Sequence, residues 1–190
     1  MQRNMCVWLM LLLIVIQYIP VTSPNVEKPV TPFSCSEMFN LTDPRNCCSI
    51  PYLLPQIIVE ACLQIPLSPV AMEGENCRAE CVLNGTDILI DGSFQPEAAI
   101  ERLTSATADD EFLTNRIQYA VTKCYRIVYV STVTYLSEQC LPSSRYVLDC
   151  IFSIMYKRCP LRYWANTDEC RQLVLTLNNC PYFLVHSNSF

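Results

Sequence analysis

The chain has 190 residues, of which 51% are hydrophobic, 13 are cysteine and only three are glycine, and its net charge is −5 at pH 7. That length suffices for one domain with a real core, and the acidic balance argues against nucleic acid and anionic membrane surfaces as partners. So many cysteines place the chain in an oxidising compartment, and so few glycines suit helices better than a hairpin-rich β fold.

Met1 to Ser23 reads as a signal peptide. Arg3 supplies the positive start, Met5 to Ile16 is an unbroken apolar run, Pro20 breaks it, and Val21-Thr22-Ser23 offers small residues for cleavage. Twelve apolar residues fall short of the ~18–20 that a span needs, and no later stretch qualifies, so no membrane span is expected after cleavage. Cleavage removes Cys6 and Arg3, leaving 12 cysteines and 12 basic against 18 acidic residues, a charge of −6. An even cysteine count is consistent with six disulfides. The mature chain, 24–190, reads as a single domain with an N-terminal extension (24–54), a core (55–160) and a C-terminal extension (161–190).

Pro24, Pro29 and Pro32 mark an extended arm. Asn40-Leu41-Thr42 and Asn84-Gly85-Thr86 are glycosylation sequons. Asp43-Pro44 predicts an N-cap with proline at the first helical position. Pro55 opens the next helix, with Ile58, Cys62 and Ile65 on one face. A helix through Cys77 and Cys81 ends at Asn84-Gly85, and Ile88-Leu89-Ile90 runs into the turn Asp91-Gly92. Pro96 starts a helix through Leu103, and Asp109-Asp110-Glu111 suits the positive end of the following one. Leu113, Ile117, Val121, Cys124 and Val128 form its stripe. Beyond Ile127 the β-branched Val128, Val130, Val133 and Thr134 fit extended chain as well as helix. Ser143 is expected to cap a helix that is apolar nearly all round, hence buried and central. Thr167 caps the last helix, with Cys170, Leu173, Val174 and Leu177 facing inward, and Cys180-Pro181 ends it.

Candidate chemistry is sparse. Zinc sites use paired C-x-x-C elements or histidine partners, whereas the close pair here is Cys77-x-x-x-Cys81 and the one histidine is His186. Asp87 to Asp91-Gly92 fails the calcium-loop template, because the third and twelfth places hold Leu89 and Ala98. Asp109-Asp110-Glu111 are adjacent and do not converge on one substrate atom. A serine or cysteine nucleophile normally needs a base, and a lone histidine near the terminus makes a secreted hydrolase a remote reading. No cofactor and no metal are expected.

The cysteine spacing carries geometry of its own. On a helix, positions i and i+4 hold their Cβ atoms ~5–6 Å apart, and a disulfide wants ~3.5–4.5 Å, so a helical Cys77 and Cys81 take different partners. Cys150 and Cys159 are nine apart, about 900° of rotation, so they tie opposite flanks of their helix.

The ladder Cys62, Cys77, Cys81, Cys124, Cys150 and Cys159, with Cys140, Pro160 and Cys170 placed around it, resembles the Plus-C branch of the insect odorant-binding proteins. The resemblance runs from Ala61 to Cys170 and includes Ile88 to Phe94, which is similar to the family's turn after the third core cysteine. It implies an all-α, compact, disulfide-stapled bundle of about six to eight helices around a small apolar core or cavity, secreted into sensory lymph or haemolymph. It also implies core pairings Cys62–Cys81, Cys77–Cys150 and Cys124–Cys159. Cys35, Cys47, Cys48, Cys140, Cys170 and Cys180 remain, with fifteen possible pairings.

The function so implied is a carrier that buries small apolar molecules such as odorants or pheromones between helices. A chemoreceptor, or a related carrier in a homo- or heterodimer, is the implied macromolecular partner. Leu113, Ile117, Val121, Leu148, Phe152 and Met155 are the expected cavity walls, because both of their helices lie within the cross-linked core. Tyr119, Tyr125, Tyr129 and Tyr135 offer hydroxyls for orienting a ligand. The apolar tail Tyr182-Phe183-Leu184-Val185 is expected to dock, with Phe183 a further wall, and protonation of His186 to loosen it. The competing reading is a secreted protein-interaction module whose core is filled.

Overall fold

A computed structural model of the chain describes residues 43–66, 73–130 and 139–179. Seven α-helices lie among them: α1 (Pro44–Cys47), α2 (Gln56–Leu63), α3 (Glu73–Gly85), α4 (Pro96–Thr104), α5 (Glu111–Tyr125), α6 (Pro142–Lys157) and α7 (Asp168–Asn179). A two-stranded hairpin, β1 (Leu89–Ile90) with β2 (Ser93–Phe94), separates α3 from α4. The all-α fold implied by the resemblance is thus the one observed.

Local chemistry sets most helix starts. The Asp43 carboxylate accepts the Arg45 N–H at 2.9 Å, with Pro44 at the first helical position of α1. Pro96 opens α4 in the same position. The Asp110 carboxylate accepts the Leu113 N–H at 3.0 Å and caps α5. The Thr167 hydroxyl accepts the Cys170 N–H at 3.3 Å and caps α7. The hairpin turns on Asp91 (φ 49°) and Gly92 (φ 75°), the two successive left-handed residues that a tight two-residue turn requires. Ser143 does not cap α6. Pro142 takes the first helical position there, the cap falls on Leu141, and Ser143 is buried in the first turn.

The helix of α5 does not give way to extended chain after Tyr125. It continues as a π-helical segment, Arg126–Val130, which keeps Val128 buried. Burial of Val128 in line with Leu113, Ile117, Val121 and Cys124 outweighs the weak extended preference of β-branched residues. Val133, Thr134 and Tyr135 lie outside the described residues, as do the segment 1–23, Asn40, Cys35, Cys180 and the tail with Phe183 and His186.

α6 is the central helix, with 13 of its 16 residues buried. It packs most extensively on α5 and α3 among the described elements. α4 packs on α5, α2 on α3, and α7 on α6. α3 comes close to α2 at Gly85, where an added Cβ would stand 2.7 Å from the Ile58 Cγ2 methyl.

Five disulfides staple the described helices. Cys62–Cys81 joins α2 to α3 (Cα–Cα 5.7 Å), as the resemblance implied. The other two implied core pairings are corrected. Cys77 bonds Cys140 (5.0 Å), and Cys124 bonds Cys150 (5.7 Å). Cys159 bonds Cys48 (5.8 Å), and Cys47 bonds Cys170 (5.3 Å). The reason lies in position along α6. Cys140 sits just before that helix, where the Leu141 N–H also donates to the Glu80 carboxylate of α3 at 2.5 Å. Cys150 lies ten residues further on, about 15 Å along the axis, and faces α5. Cys159 lies past the end of α6, where Cys48 pairs with Trp164 in an isolated antiparallel bridge. Cys77 and Cys81 do take different partners, as do Cys150 and Cys159.

Candidate ligand-binding site

The expected cavity walls come from two helices held together by Cys124–Cys150. α5 contributes Leu113, Ile117 and Val121, spaced four apart so that they share a face. α6 contributes Leu148, Phe152 and Met155 at the same kind of spacing. All six belong to one buried apolar cluster and are 0–1% exposed. Burial of each is worth about 1.5–3 kcal/mol. The Phe152 ring lies 6.2 Å from that of Tyr156, whose phenol is fully buried and pushed up to about 12 by that burial.

The tyrosines divide. Tyr125 and Tyr129 stack with Phe94 of the hairpin, at ring separations of 5.3–6.0 Å, and form an aromatic group where α5 runs into the π segment. Tyr119 faces outward, 46% exposed, with the Lys123 ammonium 5.7 Å from its ring centre.

A charged cluster beneath α6 was not anticipated. Arg145 Nη1 lies 3.2 Å from Glu75 Oε2 of α3, and Arg145 Nε lies 3.6 Å from Asp149 Oδ2, one turn along α6. The three residues are 4%, 7% and 0% exposed. One guanidinium thus faces two carboxylates in the interior. Ser144, fully buried beside Arg145, has no hydrogen-bond partner for its hydroxyl among the described residues. The helix-compatible spacing of Arg145 and Asp149 is visible in the sequence; the partner Glu75, on another helix, is not.

The start of α5 is a second polar junction. The Asp110 carboxylate accepts from the Leu113 N–H, from the Tyr163 hydroxyl at 3.0 Å and from Arg162. The capping bond is the largest of the influences that hold its carboxyl below the ordinary carboxylate range, against a smaller upward push from burial. Tyr163 is therefore part of the α5 anchor, although it follows the last core cysteine. Asn84 is exposed at the end of α3, while Thr86 of its sequon is buried, its hydroxyl donating to the Val82 carbonyl at 2.8 Å. Among the described residues no group of three or more histidine, cysteine or acidic side chains is placed to hold a metal ion, and no helix is long and apolar enough to cross a membrane.

Among the described residues, surface grooves open near α5. One of about 630 Å³ runs along its outer face from Asn115 to Ile127, and one of about 360 Å³ lies beside Phe112, Leu161 and Arg162. Neither is lined by the six interior residues.

A family model described as AgamOBP47-like matches residues 64–175. Among relatives, General odorant-binding protein 67 of Anopheles gambiae is 20% identical over 156 residues, covering 75% of this chain and 76% of that protein. Odorant-binding protein 47 of Anopheles gambiae is 25% identical over 179 residues, covering 84% of this chain and 75% of that protein.

Proposed function

The chain belongs to the AgamOBP47-like family of insect odorant-binding proteins, and from that membership we propose that it is a secreted carrier of small apolar molecules, held between α5 and α6. The observation that carries the reading is the buried apolar patch of Leu113, Ile117, Val121, Leu148, Phe152 and Met155, presented by two helices that a disulfide holds side by side. Such a site binds by removing ligand surface from water, at about 25 cal/mol per Å². Polar groups at its margin then orient the ligand rather than drive binding. Phe183 of the tail serves as a further wall in this proposal. The cysteine ladder with Pro160 supports assignment to the Plus-C branch, with Asn40 and Asn84 as its glycan sites and a chemoreceptor or a related carrier as its protein partner.

One observation favours a second reading, an interaction module with a filled core: all six walls are 0–1% exposed. Displacement of a neutral naphthylamine probe by long-chain alcohols separates the two. A carrier gives saturable, displaceable binding at micromolar levels. It also shows a larger change of affinity in Phe152→Trp than in Leu175→Trp, since Leu175 is 56% exposed on α7. Absence of displaceable binding, or equal effects of the two substitutions, removes Phe152 from the site and leaves the module.

A further inference from the structure

Ser144 is 0% exposed, and among the described residues its hydroxyl has no hydrogen-bond partner. Other buried hydroxyls are satisfied locally: Thr86 donates to the Val82 carbonyl and Thr107 to the Thr104 carbonyl, both at 2.8 Å. A helical serine commonly bonds back to the carbonyl four residues earlier. Ser144 is the third residue of α6, so that carbonyl belongs to Cys140, ahead of the helix. A buried donor left unpaired is costly, and an occupant that supplies an acceptor recovers the loss.

Position ties the hydroxyl to the interior site. Ser144 stands four residues before Leu148 and eight before Phe152, so the three share a face of α6. Eight residues span about 12 Å along the axis, which puts the hydroxyl at one end of the apolar stripe. That end is also the N-terminus of the helix. Its cap, Leu141, offers no side-chain hydrogen bond, and the positive end of the dipole favours the lone pairs of an acceptor. Arg145, the next residue, is engaged with Glu75 and Asp149. An ionised head group would be desolvated at so buried a position, whereas a neutral oxygen bears far less of that penalty.

We propose that Ser144 is a specificity-determining residue of the interior site: its hydroxyl donates to the carbonyl oxygen of a neutral apolar ligand (a ketone, aldehyde or ester) whose chain lies along Leu148 and Phe152. The proposal rests on the carrier reading and adds to it a chemical class and the end of the site at which the oxygen sits. An internal water on Ser144 is the alternative occupant that the test must reject.

The experiment compares methyl heptyl ketone with nonane, by displacement of the naphthylamine probe, in the wild type and in Ser144→Ala. Each ligand is its own control across the two proteins, so their different solubilities cancel. The ketone is expected to weaken about fivefold in the variant, the worth of one ordinary hydrogen bond, while nonane binds both proteins alike. The infrared carbonyl stretch of the bound, isotope-labelled ketone should lie at lower frequency in the wild type than in the variant, a signature that a purely structural serine does not produce. Ser144→Ala should melt at or above the wild-type temperature, since alanine removes an unpartnered hydroxyl. Equal loss of ketone and alkane, or no loss of either, overturns the proposal and leaves the carrier reading standing. So does a variant that melts well below the wild type with an unshifted carbonyl band, the mark of a serine held by internal water. If neither ligand binds the wild type, the interior site itself fails and this proposal with it.

Discussion

Replacing Arg145 with methionine removes the guanidinium that two interior carboxylates share. Glu75 and Asp149 are 7% and 0% exposed, and the guanidinium lies 3.2 and 3.6 Å from their oxygens. Methionine keeps much of the length of arginine and little of the packing is lost, so the change isolates the charge. Removing one partner of a buried ion network costs about 3–5 kcal/mol, because the remaining charged groups stay desolvated and lose its attraction. For a domain of this size, 1 kcal/mol shifts Tm by about 2–4 °C, so Arg145→Met should melt about 6–20 °C below the wild type. The assay is thermal unfolding by circular dichroism with the disulfides intact. Adding Glu75→Gln and Asp149→Asn to Arg145→Met should recover most of the loss, since amides remove the charges that the guanidinium faced. A single variant melting within about 2 °C of wild type would refute the reasoning and mean that water reaches the cluster. A triple variant no more stable than Arg145→Met would show that lost packing, not charge, was the cause.

Three further outcomes are expected. Peptide mapping without reduction should recover Cys77 linked to Cys140 and Cys124 linked to Cys150; removal of Cys77–Cys140, whose cysteines are 63 apart, should cost about 4 kcal/mol on the chain-entropy model. Asp110→Asn keeps a capping side chain but loses the charge: because the Asp110 carboxyl is held below its ordinary value, its stabilising effect is present above the unfolded value of about 3.9 and lost as pH falls through the folded one. The Tm gap between wild type and Asp110→Asn should therefore be widest above pH 5 and shrink as pH falls below about 3.9, and a gap constant through that fall would contradict the assignment. Gly85→Ala should destabilise by about 1–3 kcal/mol, as overpacking against Ile58 does, measured by urea denaturation.

Helix starts were legible because their causes are local. Asp43-Pro44, Pro96, Asp110 and Thr167 each act within one turn of the helix they open. The buried stripe from Leu113 to Val128 was legible for the same reason, through its spacing. Ser143 misled because the proline before it already fixed the helix start one residue earlier. Which cysteines meet depends on where whole helices lie. Spacing established that Cys77 and Cys81 diverge, and could not say that the start of α6, rather than its middle, lies against Cys77. The Glu75–Arg145–Asp149 cluster was half visible for that reason too. The outer groove left a periodic trace: Phe112 with Arg116 and Tyr119 with Lys123 repeat an aromatic–cation pair seven residues apart. A ring and a cation four apart on an exposed face are common surface features, so only the groove beside them distinguishes the pattern.

The claim of an interior site is tested most directly by methyl NMR. Isotope-labelled methyl groups of leucine, isoleucine, valine and methionine are followed while dodecanol is titrated to saturation. The largest shifts are expected at Leu113, Ile117, Val121, Leu148 and Met155, all 0–1% exposed. Shifts confined to exposed methyls such as Ile57, Leu161 and Leu175, or no saturable shift at all, would contradict it.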